Sequence, residues 1–127
     1  MRRKLWTMAA VGALLAILCL FEQISVARLT GMALEETAQI LQLIREENLP
    51  LARERANALD QKWDKDAVML ELMIDHSATD DVRYALSRLL AALESGDQPA
   101  AMIYAGELEG GIEHVYERQA LTLENVL

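Results

Sequence analysis

Two hydrophobic patterns divide this chain. From Leu5 to Phe21 there are 17 positions without a charge, apolar on every side of a helix, with Arg2, Arg3 and Lys4 before them and Glu22 after. As a helix this run is about 25 Å long, the short end of what a bilayer core requires. Trp6 stands where an interfacial aromatic belongs, and Ile24 and Val26 extend the apolar face past Glu22. Ser25-Val26-Ala27 carries small residues at the spacing signal peptidase prefers, so release of a chain starting at Arg28 is the alternative to a retained anchor. Bulky Leu18 before Cys19 argues against lipoprotein processing. A soluble core helix is seldom apolar all round and preceded by three basic residues. Those basic residues hold the N-terminus in the cytoplasm. The expected organisation is a signal-anchor or transmembrane segment over 1–27 and an extracytoplasmic domain over 28–127, single-pass in the cell membrane.

After the anchor the pattern becomes amphipathic, and it predicts four helical stretches. Over Leu29–Glu47 the stripe is Leu34, Ala38, Leu41 and Ile44/Arg45, with Gly31 the one weak point between anchor and domain. The anchor helix either runs on through Gly31 or bends there. Asn48-Leu49-Pro50 reads as a break and restart. A second helix follows from Leu49 to His76 on the stripe Ala52, Ala56, Leu59, Trp63, Ala67, Leu70 and Ile74. Ser77-Ala78-Thr79-Asp80-Asp81 supplies caps for a third, with Val82, Leu86, Leu89 and Leu93 on its apolar face and Ser95-Gly96 at its end. The fourth opens at Asp97-Gln98-Pro99 and carries Ala101, Ala105, Leu108, Ile112, Val115, Leu123 and Val126. Connections this short force neighbours to run antiparallel. The expected fold is all-α: an N-terminal transmembrane helix followed by an antiparallel four-helix bundle, with two stacked helical hairpins as the alternative.

Composition narrows the function more than the fold. Of 127 residues 53% are hydrophobic, while Gly, Pro and aromatics are few, which favours helix over strand. The chain holds 12 Lys and Arg against 20 Asp and Glu; with Arg2, Arg3, Lys4 and Glu22 set aside, residues 28–127 hold 9 against 19. A domain this acidic repels phosphate backbones, so no nucleic-acid partner is expected. Cys19 is the single cysteine and lies inside the apolar run, so no disulfide framework exists.

Candidate chemistry is sparse. His76 and His114 are the two histidines, and an antiparallel bundle can in principle bring them near Asp75, Glu113 or Glu117. The Glu-x-x-His pairs of di-iron bundles are absent, because Met73 and Gly111 occupy the positions three before each histidine. His76 fits better as a helix C-terminal residue facing free carbonyls, and no metal or cofactor is expected. Gly106-x-x-x-Gly110 encloses Glu107 and Glu109, so it is no membrane dimer motif; with Gly111 it reads as close packing or a bend. Trp63 lies in an apolar stripe and reads as a core anchor. Glu35, Glu36, Glu46, Glu47, Asp64 and Asp66 read as a solvated face, and Ser77, Ser87 and Ser95 lack a nucleophile elbow.

Several of these residues also carry a family resemblance. The basic start and apolar helix, Trp63, Ile74-Asp75-His76 with Asp80 and Asp81 just after, Leu86 to Leu90, and Leu121-Thr122-Leu123-Glu124-Asn125 together make the chain resemble domain-of-unknown-function family 4363 over nearly its whole length. The resemblance implies a short, N-terminally anchored helical protein of Gram-positive, often spore-forming bacteria, with a membrane protein as partner. It implies no catalytic residues. The leading expectation is a non-enzymatic, membrane-anchored interaction module that binds another membrane or envelope protein, self-association included. A ligand- or metal-sensing bundle is the second reading. A secreted helical domain, or an enzyme built on a carboxylate pair, comes after.

Overall fold

The protein is described by a computed structural model covering residues 1–72 and 74–126, with side chains through residue 118. Its four helices are α1 (Arg2–Arg45), α2 (Leu49–Leu70), α3 (His76–Ser95) and α4 (Gln98–Val126). They close into a ring in which α1 packs on α2 and α4, and α3 packs on the same two. Facing residues step in opposite directions along neighbouring helices: Arg55 meets Gln39 and Lys62 meets Met32, while Arg53 meets Glu94 and Arg83 meets Asp64. That is the antiparallel bundle expected from the short links, and stacked hairpins are not needed to describe it.

The apolar run and the first bundle helix are one element. α1 is 44 residues, about 66 Å at 1.5 Å per residue, and it passes through Gly31 without a break. Residues 1–24 are exposed throughout, and burial begins at Val26. Val26 therefore belongs to the bundle core rather than to an extension of the apolar run, and only Ile24 is left to lengthen that run. α1 alone among the described residues is long and apolar enough to cross a membrane.

The buried face of α1 is Val26, Thr30, Ala33, Thr37, Ile40 and Ile44. This corrects the expected stripe: Leu34 and Leu41 are only half-buried, and Ala38 and Arg45 face solvent. Two threonines make the difference. The Thr30 hydroxyl donates to the Val26 carbonyl at 2.7 Å and that of Thr37 to Ala33 at 2.8 Å, so each enters the core with its polar atom satisfied. The stripe of α3 is buried as expected, and so is that of α2 from Ala52 to Leu70, whereas Ile74 lies beyond α2 and is only half-buried; in α4 Ala101, Ala105, Leu108, Ile112 and Val115 are buried, and Leu123 and Val126 lie outside the described side chains. Trp63, 2% exposed, sits in this core and points its indole N–H at the Thr79 carbonyl at 3.4 Å.

Helix ends follow local chemistry. α1 stops where Glu47 takes a positive φ of 62°, and Pro50 occupies the first turn of α2. The Asn48 side chain makes no capping bond. α3 ends at Gly96 with φ 73°, the left-handed conformation glycine adopts without a Cβ penalty. The Asp97 carboxylate then caps α4 by accepting the Ala100 N–H at 3.1 Å. The second helix is shorter than expected: it closes at Leu70, and His76 opens α3 instead of ending α2. Asp75 is responsible, because its carboxylate accepts the Ser77 N–H and fixes an N-cap ahead of the expected Ser77–Asp81 caps.

Candidate functional site

The charged side chains concentrate at the end of the bundle nearest the exposed half of α1. There the Asp75 carboxylate accepts the Ser77 N–H at 3.2 Å, the Ser77 hydroxyl at 2.9 Å and Arg118 Nη1 at 2.9 Å. The Ser77 N–H, then the Ser77 hydroxyl and Arg118, hold this carboxyl below its ordinary range. The arrangement ties α4 to the start of α3.

Beside it, Arg83 gathers three carboxylates from two helices. Its guanidinium lies 3.4 Å from Asp64, 3.3 Å from Glu71 and 3.4 Å from Asp80. Arg83 Nε is buried without a well-aligned hydrogen bond, so its attraction to Asp64 is Coulombic rather than directional. Glu71 also approaches His76 Nδ1 at 3.4 Å, a pair that becomes ionic when the imidazole is protonated. The Thr79 hydroxyl stands between the Glu71 carboxylate at 3.1 Å and the His76 carbonyl at 2.9 Å, with one proton to give. Asp60 lies close by; burial first and the Asp64 charge second raise its pKa, against the opposing pull of Arg83. Half-exposed pairs of this kind contribute about 0–1 kcal/mol each. Their geometry is that of a clamp across α2, α3 and α4.

The two histidines stay apart in role. His76 is exposed beside Glu71, and His114 is exposed on α4. Asp75, expected near them, is engaged with Ser77 and Arg118. Among the described residues no group of three or more His, Cys, Asp or Glu is arranged to hold a metal ion. Of the expected solvated carboxylates, Glu35, Glu46, Glu47 and Asp64 are exposed and Glu36 and Asp66 are half-exposed. The polar centre of this end, Arg83 with Glu71, Thr79 and Arg118, went unread in the sequence. Its legible traces are the three-residue step from Asp80 to Arg83 and the seven-residue spacing from Asp64 on α2 to Glu71 just past its end.

The glycines of α4 divide. A Cβ on Gly111 would meet Val82 Cγ2 at 3.4 Å, which is close packing, whereas Gly106 and Gly110 have open space around them and α4 does not break there. An open, shallow groove lined by Gln39, Gln42, Leu43 and Arg55 runs between α1 and α2.

Uncovered apolar surface is the more distinctive feature. The largest area is the exposed half of α1, including Leu5, Trp6, Met8, Leu14, Leu15 and Phe21, with Cys19 exposed among them. Val68, Met69 and Leu72 form a second area at the end of α2. Tyr84 and Ile103, each 62% exposed, flank the Arg88–Glu107 ion pair on the α3–α4 face.

No curated protein and no solved structure matches the chain. A family model does: the domain of unknown function DUF4363 matches residues 20–126, from the last turn of the apolar run through all four bundle segments. On that match, and in agreement with the resemblance carried by Trp63, Ile74-Asp75-His76 and the Leu86–Leu90 stretch, the chain belongs to the DUF4363 family.

Proposed function

We propose that this protein is a single-pass, membrane-anchored interaction module, with Leu5–Phe21 crossing the cytoplasmic membrane and the acidic bundle on its outer face. One observation carries the reading. α1 is a single helix whose first 24 residues are exposed, with no partner among the described residues, while its remaining turns are a full member of the bundle. Apolar surface on this scale is not left in water; lipid or protein covers it. Arg2, Arg3 and Lys4 favour the cytoplasmic side for the N-terminus. The continuity of α1 also bears on cleavage after Ala27, which would cut through the helix and remove Val26 from the core.

The bundle offers side chains suited to a protein partner rather than to catalysis. Exposed tyrosine and large aliphatics, such as Tyr84 and Ile103, are the residue types that anchor interfaces. The partner is another membrane or envelope protein, and it acts by binding.

A C-terminally tagged full chain, expressed in a Gram-positive host, tests this. The expected result is an intact chain that resists alkaline extraction from membranes and loses its tag to protease added outside the cells. A soluble product beginning at Arg28 would remove the anchor. A photo-crosslinker at Ile103 is expected to trap an adduct of defined mass that one at Glu54, on exposed α2, does not. Equal absence of adducts at both positions would remove the interaction face.

A further inference from the structure

We infer that the corner where α2 turns into α3, carrying Val68, Met69 and Leu72, is a second membrane contact, seated at the boundary between lipid headgroups and acyl chains. The inference rests on the anchored reading of α1 and goes beyond it, because it concerns residues far along the chain from the apolar run.

Register sets the height of this corner. A two-turn advance on α2, from Arg55 to Lys62, is matched by a two-turn retreat on α1, from Gln39 to Met32. One further step of the same size brings Met69 level with Ser25, and Leu72 follows in the turn just past the end of α2. The uncharged run of α1, about 25 Å long, falls short of a hydrocarbon core of about 30 Å. The missing 5 Å, roughly three residues, moves the hydrocarbon boundary from Phe21 to Ile24. The corner therefore lies at that boundary, and α1 has no break between the two that would let it tilt away.

The chemistry of the corner suits this place. Leu72 is 85% exposed, Val68 65% and Met69 46%; Val68 and Met69 adjoin in the last turn of α2 and Leu72 follows in the turn just beyond it. Phe21 and Ile24 of α1, at the same height, are exposed as well. Charged groups at this level are turned on one another: Glu71 faces Arg83 and His76, and Asp75 faces Arg118. Glu22 and Glu117 are both exposed at this end, and a glutamate side chain is long enough to reach the headgroups. Lys65 and Arg28, both exposed, lie about one turn farther from the bilayer, at the height of lipid phosphates.

Site-directed spin labelling of the full chain in phosphatidylcholine–phosphatidylglycerol nanodiscs reads this directly. With Cys19→Ala as background, nitroxides are placed at Leu15→Cys, Leu72→Cys and Glu47→Cys, the last in the turn at the opposite end of the bundle. Power saturation compares collisions with oxygen, which concentrates in lipid, and with a water-soluble nickel chelate. The expected result is a severalfold excess of oxygen over nickel accessibility at Leu15 and Leu72, reversed at Glu47. If Leu15 reports lipid and Leu72 reports water, the corner does not touch the membrane and the inference is overturned while the anchor stands. If Leu72 is shielded from both reagents, a protein, either a second copy or a partner, covers it, and the inference is equally overturned. If Leu15 itself reports water, the anchored reading fails and takes the corner with it.

Discussion

Replacing Trp63 with alanine is the sharpest test of how the bundle is held together. At 2% exposure the indole has given up almost all its contact with water, and a tryptophan removes roughly 150–250 Å² in doing so. At about 25 cal/mol per Å² that burial is worth about 4–6 kcal/mol as an upper limit. Alanine keeps a methyl group and the neighbours relax partly, which brings the expected loss to about 3–5 kcal/mol. The indole hydrogen bond adds little: at 3.4 Å it is long, and the Thr79 carbonyl keeps its place in the ladder of α3. Small domains have only about 5–15 kcal/mol of stability in total. For a bundle near 100 residues the loss corresponds to a fall in Tm of about 12–40 °C. Circular dichroism at 222 nm on the full chain in detergent follows the transition, and Trp6→Ala, on the exposed half of α1, is the control expected to leave it in place. A Trp63→Ala transition within about 0.5 kcal/mol of the parent, the range of ordinary surface substitutions, would refute the placement of Trp63 as the packing anchor.

The same melts check three further expectations. Gly106→Ala and Gly110→Ala each raise stability by about 0.5–1 kcal/mol, since nothing lies near either Cβ position and glycine in a helix interior costs backbone entropy; a loss at either site would mean that something packs there. Gly96→Ala lowers stability by about 1–2 kcal/mol because its φ of 73° is strained for a residue with a Cβ. The carboxyls respond to pH in opposite senses. Asp75 has a depressed folded pKa, so its stabilising contribution is present above the ordinary carboxylate pKa of about 3.9 and is lost as pH falls through the lower folded value; the deficit of Asp75→Asn against the parent shrinks on acidification. Asp60 has a raised folded pKa, so its ionised form opposes folding as pH rises through that value; Asp60→Asn melts higher than the parent at pH 7, and the gain fades as pH falls through the raised value. A pH-independent offset for either variant would place its effect outside ionisation.

Local pattern alone determined much of this protein. An uncharged run between a basic cluster and Glu22 needs no tertiary information to be recognised as a helix apolar on all sides, because length and charge placement carry that signal. The stripes of α2 and α3 were legible because leucine, alanine and tryptophan recur at helical spacing, and the turn at Gly96 because glycine best suits a left-handed end. Only the folded chain decided which face of α1 is buried. Thr30 and Thr37 read as polar in sequence, and they become core residues once their hydroxyls bond back to their own helix. It also decided that α2 stops at Leu70, since Asp75 can cap α3 only with the Ser77 N–H brought beneath it and gains Arg118 from a helix more than forty residues away. The Arg83 clamp is of the same kind: Asp64, Glu71 and Asp80 are ordinary surface carboxylates until antiparallel packing sets two helices side by side around one guanidinium. Periodicity reports which residues leave water, but partners chosen across a bundle depend on register, and register exists only in the folded state.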